Sequence, residues 1–112
     1  PEWILAPKAG VGLPARNQYV LDLTNPAAFE HVRDAISDLV SRYDIDFIKW
    51  DHNRDLLEAV TRGTDPQRPA VHAQTLALYR LLDELGGRFP SLEIETCSAG
   101  GGRVDLGILE RT

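Results

Sequence analysis

Lys49 and Asp51, set two positions apart in Phe47-Ile48-Lys49-Trp50-Asp51-His52-Asn53, have the residue types and spacing to do chemistry. On an extended segment, alternation puts Phe47, Lys49 and Asp51 on one face and Ile48 and Trp50 on the other. A cation and a carboxylate sharing one face of a buried strand are unfavourable unless paired or used. Lys49 is expected to hold Asp51 ionised and to depress its pKa by the opposite-charge effect. An ionised, fixed Asp suits nucleophilic attack on a sugar carbon, or electrostatic stabilisation of an oxocarbenium-like transition state. An ion pair tying a strand end to a loop would use the same residues, and spacing alone leaves both readings open.

A second cluster follows at Glu95-Thr96-Cys97, running into Ser98-Ala99-Gly100-Gly101-Gly102-Arg103. If the two segments are neighbouring parallel strands, their tips lie roughly 5 Å apart. Asp51, Glu95 and Cys97 then face one cavity. Clusters at the C-terminal ends of strands are where α/β proteins keep their chemistry. Within this cavity Glu95 suits a partner for Lys49 better than a second catalytic carboxylate.

The elements that would position these residues are legible in order. Pro7, Gly10, Gly12 and Pro14 make the opening residues loop-like, ending in an extended stretch at Tyr19-Val20-Leu21-Asp22-Leu23,. Thr24-Asn25-Pro26 starts a helix, and Phe29, Val32, Ile36, Leu39, Val40 and Tyr43 form its apolar stripe,. Residues 45–51 read as a strand and residues 61–70 as a loop. Val71, Thr75, Leu78, Leu82 and Leu85 space as a second helix, expected to stop at Gly86-Gly87,. After Pro90, residues 92–97 read as a second strand. Helix, strand, helix, strand implies an α/β fold with a parallel sheet built from crossovers. The strand ends lie farther apart than the ~30 residues per unit of a barrel of ~250 residues. The surplus falls in the loop after Asp51.

The chain has 112 residues, 43% hydrophobic and 26% charged, ordinary values for a globular protein,. It begins at Pro1 and stops without a closing helix, so an internal piece of a larger domain is expected,. A net charge of −5 argues against nucleic acid or anionic membrane as the partner,. No apolar run approaches a membrane span. Cys97 is the only cysteine, which fits a reducing, cytoplasmic compartment,. His31, His52, His72 and Cys97 lack metal-ligand spacing, so no metal site is expected from them.

Three stretches together resemble one family. Lys49-Trp50-Asp51-His52-Asn53-Arg54 is similar to the K-W-D-x-N-R motif of glycoside hydrolase family 36, the bacterial-type α-galactosidases. Residues 95–103 resemble that family's E-x-C-S-x-G-G-G-R segment. Arg16-Asn17-Gln18-Tyr19-Val20-Leu21-Asp22-Leu23 resembles its R-N-Q-x-V-L-D-L stretch. The motifs come in the family's order and span most of the chain. The resemblance implies a retaining, exo-acting enzyme with a (β/α)8 TIM barrel, of which residues 1–112 would be part, with Asp51 as nucleophile at the end of the fourth strand. It further implies sugar contacts from Lys49, Arg16, Asn53, Cys97 and Gly100, with a galactoside oligosaccharide as substrate. It implies no metal or organic cofactor and leaves room for a homo-oligomer of the full-length enzyme. The family's acid/base Asp lies on the next strand, beyond Thr112, so this polypeptide alone is expected to be inactive. Its unpaired strand edges are expected to make it poorly soluble in isolation. Ala99 stands where many members have Gly, a change expected to leave the loop intact.

Rival readings remain in view. The same fold could serve a galactosyltransferase of the raffinose-synthase kind or an α-N-acetylgalactosaminidase. The glycine-rich loop could cradle a phosphate, although it lacks the P-loop Lys-Ser/Thr and the dinucleotide spacing. Cys97 could be a nucleophile with His52 as base, against the commoner role of a small buried hydrophobe. A non-enzymatic remnant would keep the barrel sequence alone. Trp50 is expected to pack under the helices, and Glu30, Asp34 and Asp38 to form a solvated helix face.

Overall fold

In the computed structural model, which describes residues 2–6, 10, 12–14, 17–53, 56, 59–61 and 66–112, the helix start at Asn25-Pro26 is realised. Asn25 Oδ1 accepts from the backbone N–H groups of Ala27 (3.0 Å) and Ala28 (3.3 Å). These are two of the donors that a helix start leaves open. Helix α1 spans Pro26–Tyr43 and closes at Asp44, whose left-handed backbone (φ 52°, ψ 49°) ends the turn,. Ala28, Phe29 and Val40 are buried, but Leu39 and Tyr43 are exposed although they continue the same stripe. The first half of α1 packs on the second helix, with the Arg80 guanidinium 3.9 Å over the Phe29 ring. The last turns instead border an open apolar groove with Ile45, Ile48 and Trp50.

Strand β1 is Phe47–Asp51, two residues shorter at its start than alternation predicts. Ile45 still belongs to the helix end, its N–H donating to Val40 O at 3.2 Å. Helix α2, Val71–Arg88, buries Gln74, Ala77, Leu78, Leu81, Leu82 and Leu85. Its inward face is therefore rotated from the predicted one: Val71 is exposed and Thr75 half-buried. The helix also runs through Gly86 and Gly87 rather than stopping there. Glycine weakens a helix by only ~1 kcal/mol relative to alanine. The last turn is held by the Phe89 N–H on Leu85 O (2.8 Å) and by Phe89 packing on the core. Pro90, which disfavours helical backbone in the residue before it, is the effective stop.

Gln74 fastens the extended stretch after residue 19 to α2. Its amide donates to Leu21 O (2.9 Å), and its oxygen accepts from the Leu23 N–H (2.9 Å). Strand β2, Glu93–Cys97, lies parallel to β1 in the register Lys49↔Glu95, Trp50↔Thr96 and Asp51↔Cys97. Ile48, Trp50 and Ile94 turn toward the helices, with Trp50 and Ile94 packing on the cluster around Leu81, Leu85 and Ile108. The predicted α/β class with parallel strands is thus observed, as is Trp50's packing role. Contrary to the expectation of no closing helix, a four-residue helix α3, Leu106–Leu109, closes the core through Ile108, with Asp105 capping it at the Ile108 N–H (2.8 Å). A smaller cluster of Leu5, Ala59 and Ala70 holds the segment after β1 against the beginning of the chain.

Candidate active site

The alternation of β1 and β2 leaves Phe47, Lys49, Asp51, Glu93 and Glu95 on the open face of the ladder. Lys49 and Glu95 sit directly opposite each other, and Lys49 Nζ reaches Glu95 Oε1 at 2.8 Å. The lysine is therefore primarily Glu95's partner, as expected for Glu95. Its pKa is raised first by that hydrogen bond and by Glu95's charge, and least by Asp51.

Lys49 lowers the Asp51 pKa in the direction expected from sequence, but other groups hold the carboxylate ionised more strongly. The Asn53 amide donates to its carboxylate and is the largest cause lowering its pKa. The Cys97 thiol on β2 is second, and the charge of Lys49 is the smallest named contribution. The correction has a simple physical cause. Lys49 spends its strongest interaction across the ladder on Glu95, while the Asn53 amide, two residues on, donates directly to the carboxylate,.

Asn53 uses both ends of its side chain within the protein. Its nitrogen holds Asp51, and its oxygen accepts from the Ala99 N–H at 3.3 Å. The two post-strand loops are laced further: His52 N–H donates to Cys97 O (3.0 Å), and Ser98 Oγ donates to His52 O (2.7 Å). Ala99 and Gly100 both take positive φ (45° and 84°), and the Gly102 N–H returns to Ser98 O at 3.0 Å. Gly102 is glycine because a Cβ there would lie 2.7 Å from Ser98 O,. A tight, self-bonded bend thus sits beside Asp51.

The structure brings Asp51, Lys49, Asn53, Cys97 and Gly100 together at the C-terminal ends of the two strands. Arg16 lies outside the described residues. The bend is poorly suited to cradle a phosphate, because the N–H groups of Ser98, Ala99 and Gly102 already donate within the protein and two carboxylates stand nearby,. Among the described residues, no group of three or more His, Cys, Asp or Glu is arranged to hold a metal ion. No described helix is long and apolar enough to cross a membrane. Sequence reasoning missed Arg103, whose Nη2 donates to Trp50 O and to Cys97 O, each at 2.7 Å. The available signals were its place at the end of the glycine run and of the 95–103 motif, neither of which names its acceptors.

Comparison with known proteins bears on the same region. A family model described as Melibiase matches residues 1–112. The alpha-galactosidase of Escherichia coli is 43% identical over 112 residues, covering 100% of this chain and 15% of that protein. The crystal structure of the GH36 alpha-galactosidase AgaA from Geobacillus stearothermophilus superposes with a TM-score of 0.90 at 36% identity, covering 100% of this chain and 16% of that one. Variants of the same enzyme in complex with stachyose and with raffinose superpose with TM-scores of 0.89 and 0.90. The chain spans about 15% of the length of the curated relatives it matches.

Proposed function

Because this chain belongs to the Melibiase family, we propose that it carries the nucleophile of a retaining exo-α-galactosidase acting on terminal α-linked galactose. Residues 1–112 are, on this reading, an internal part of a (β/α)8 barrel, with β1 and β2 as its fourth and fifth strands. The observation that carries the proposal is the Asp51 carboxylate at the end of β1, kept ionised by Asn53 and the Cys97 thiol beside the glycine bend. A fixed anion at that point needs only an electrophilic carbon in front of it.

Asp51 attacks the anomeric carbon as the bond to the leaving oxygen breaks, giving a galactosyl ester on Asp51. A carboxylic acid from a strand outside this chain protonates the leaving group. The same group, now a carboxylate, deprotonates the water that hydrolyses the ester with net retention. Lys49 is half exposed and donates one hydrogen to Glu95, so its ammonium keeps donors for sugar hydroxyls,. Gly100 opens the bend to close approach by the sugar, because a Cβ there would meet nothing within 4 Å. Cys97 and Arg16 complete the sugar contacts, while Asn53 serves by orienting Asp51. Oligosaccharides of the stachyose and raffinose kind, bound by the similar AgaA variants, are the substrate class favoured. A cytoplasmic setting and assembly of the full-length enzyme into a homo-oligomer belong to the same reading.

The test is the Asp51→Ala variant of the full-length enzyme on an aryl α-galactoside, with products resolved by chromatography. Turnover should fall by ~10⁴-fold or more, and the native enzyme should release free galactose rather than a transferred product. An unchanged kcat removes Asp51 from the nucleophile role.

A further inference from the structure

We propose that Arg103 is a positioning residue for the reaction, stapling the ends of β1 and β2 so that the Asp51 carboxylate is held at a fixed place and angle. This rests on the reading of Asp51 as nucleophile. One guanidinium nitrogen, Nη2, carries two hydrogens, and these go to Trp50 O and Cys97 O at 2.7 Å each. The Trp50 carbonyl belongs to the peptide unit that continues into Asp51. The Cys97 carbonyl belongs to the unit that begins the glycine bend, and Cys97 is Asp51's partner in the ladder. Cys97 O also accepts the His52 N–H at 3.0 Å. Both sides of the nucleophile's backbone therefore converge on a single cation.

The placement is not that of a surface arginine. Arg103 is partly withdrawn from water, its Nε is buried without a hydrogen-bond partner among the described residues, and burial pulls its pKa down. The negative charge of Asp51 acts in the opposite sense. A partly dehydrated cation with an unsatisfied donor is unfavourable by itself, so its use lies in what it holds. The tight return from Gly102 to Ser98 brings residue 103 back beneath the strand ends. Arginine is suited to this because its guanidinium stays charged and its hydrogens lie in one plane.

The experiment uses the full-length enzyme and an activated 2,2-difluoro-galactoside. Such a compound esterifies a retaining nucleophile, expels its own good leaving group as an anion and needs no acid. The rate of mass increase on the peptide containing Asp51 is measured for native enzyme, R103M and R103K. R103M should label ~10–100-fold more slowly, with the half-saturating concentration within ~3-fold of native. R103K should recover part of the rate, since an ammonium can reach one carbonyl. Native labelling rates in R103M, or a loss confined to affinity, would overturn the proposal. If R103M fails to fold, R103K decides: slowed labelling at a native melting temperature supports the staple, and a native rate refutes it. Labelling of the native enzyme at a residue other than Asp51 would overturn the nucleophile reading, and Arg103's positioning role with it.

Discussion

Replacing Gly102 by alanine asks whether the bend beside Asp51 is held as tightly as its contacts imply. An added Cβ would lie 2.7 Å from the backbone oxygen of Ser98 and 3.3 Å from its Oγ. Carbon–oxygen contacts become comfortable at ~3.3 Å, so one of the two must move by about 0.6 Å. Neither partner gives easily. Ser98 follows the last residue of β2, its oxygen accepts the Gly102 N–H, and its Oγ is bonded to His52 O at 2.7 Å. Overpacking of this kind typically destabilises by ~1–3 kcal/mol. Because His52 and Ala99 connect the bend to Asp51 and Asn53, a shift of that size should lower kcat/KM roughly tenfold. The internal control is Gly101→Ala, where the nearest atom, Val104 Cγ2, is 3.9 Å away; its effect should stay within ~0.5 kcal/mol. Steady-state kinetics and thermal inactivation of both variants in the full-length enzyme provide the comparison. Equal behaviour of the two would refute the close approach of Gly102 to Ser98 and the mechanical link drawn from it.

Two further substitutions probe the site and its support. Asn53→Ala removes the largest influence depressing the Asp51 pKa. A carboxylate must be ionised to attack, and a depressed pKa extends activity toward low pH; losing the amide should move the acid limb of kcat/KM to higher pH, and an unmoved limb would show that another group controls it. Gln74→Met keeps the shape but strands Leu21 O and the Leu23 N–H, for a local loss of roughly 2–4 kcal/mol. Hydrogen exchange at the Leu23 amide should accelerate accordingly, and an unchanged rate would show that another group supports that segment.

The parts of the fold that follow from local chemistry were legible in the sequence. Asn25-Pro26 announced α1 because a cap and a first-turn proline satisfy a helix start by themselves. Alternation sorted Lys49 and Asp51 from Trp50, and it paired Lys49 with Glu95 once the strands were taken as parallel. What escaped depends on where the chain returns. Gly86-Gly87 looked like a stop because composition does not reveal that Phe89 is packed and Pro90 is the stronger breaker. Leu39 and Tyr43 matched the period of a buried stripe, yet the neighbour that fixes burial is not encoded in the stripe. Lys49 was credited with most of Asp51's ionisation through proximity in sequence, whereas the Asn53 amide, held at its other end by the Ala99 N–H, donates to the carboxylate directly. Arg103 was invisible as a staple because its acceptors are main-chain carbonyls, which every residue carries.

The bond between Asn53 and position 99 places unequal demands on its two partners. Its donor at position 99 is the peptide nitrogen, present in any residue but proline, so the side chain there is bounded only by the left-handed backbone, where alanine is disfavoured by ~1–2 kcal/mol and glycine is not,. At position 53 the requirement is for one donor and one acceptor on a single short side chain, and the isosteric aspartate would set a second carboxylate against Asp51. Two residues that touch are thus under unequal discipline: alanine or glycine can donate from position 99, while position 53 needs the paired donor and acceptor of asparagine.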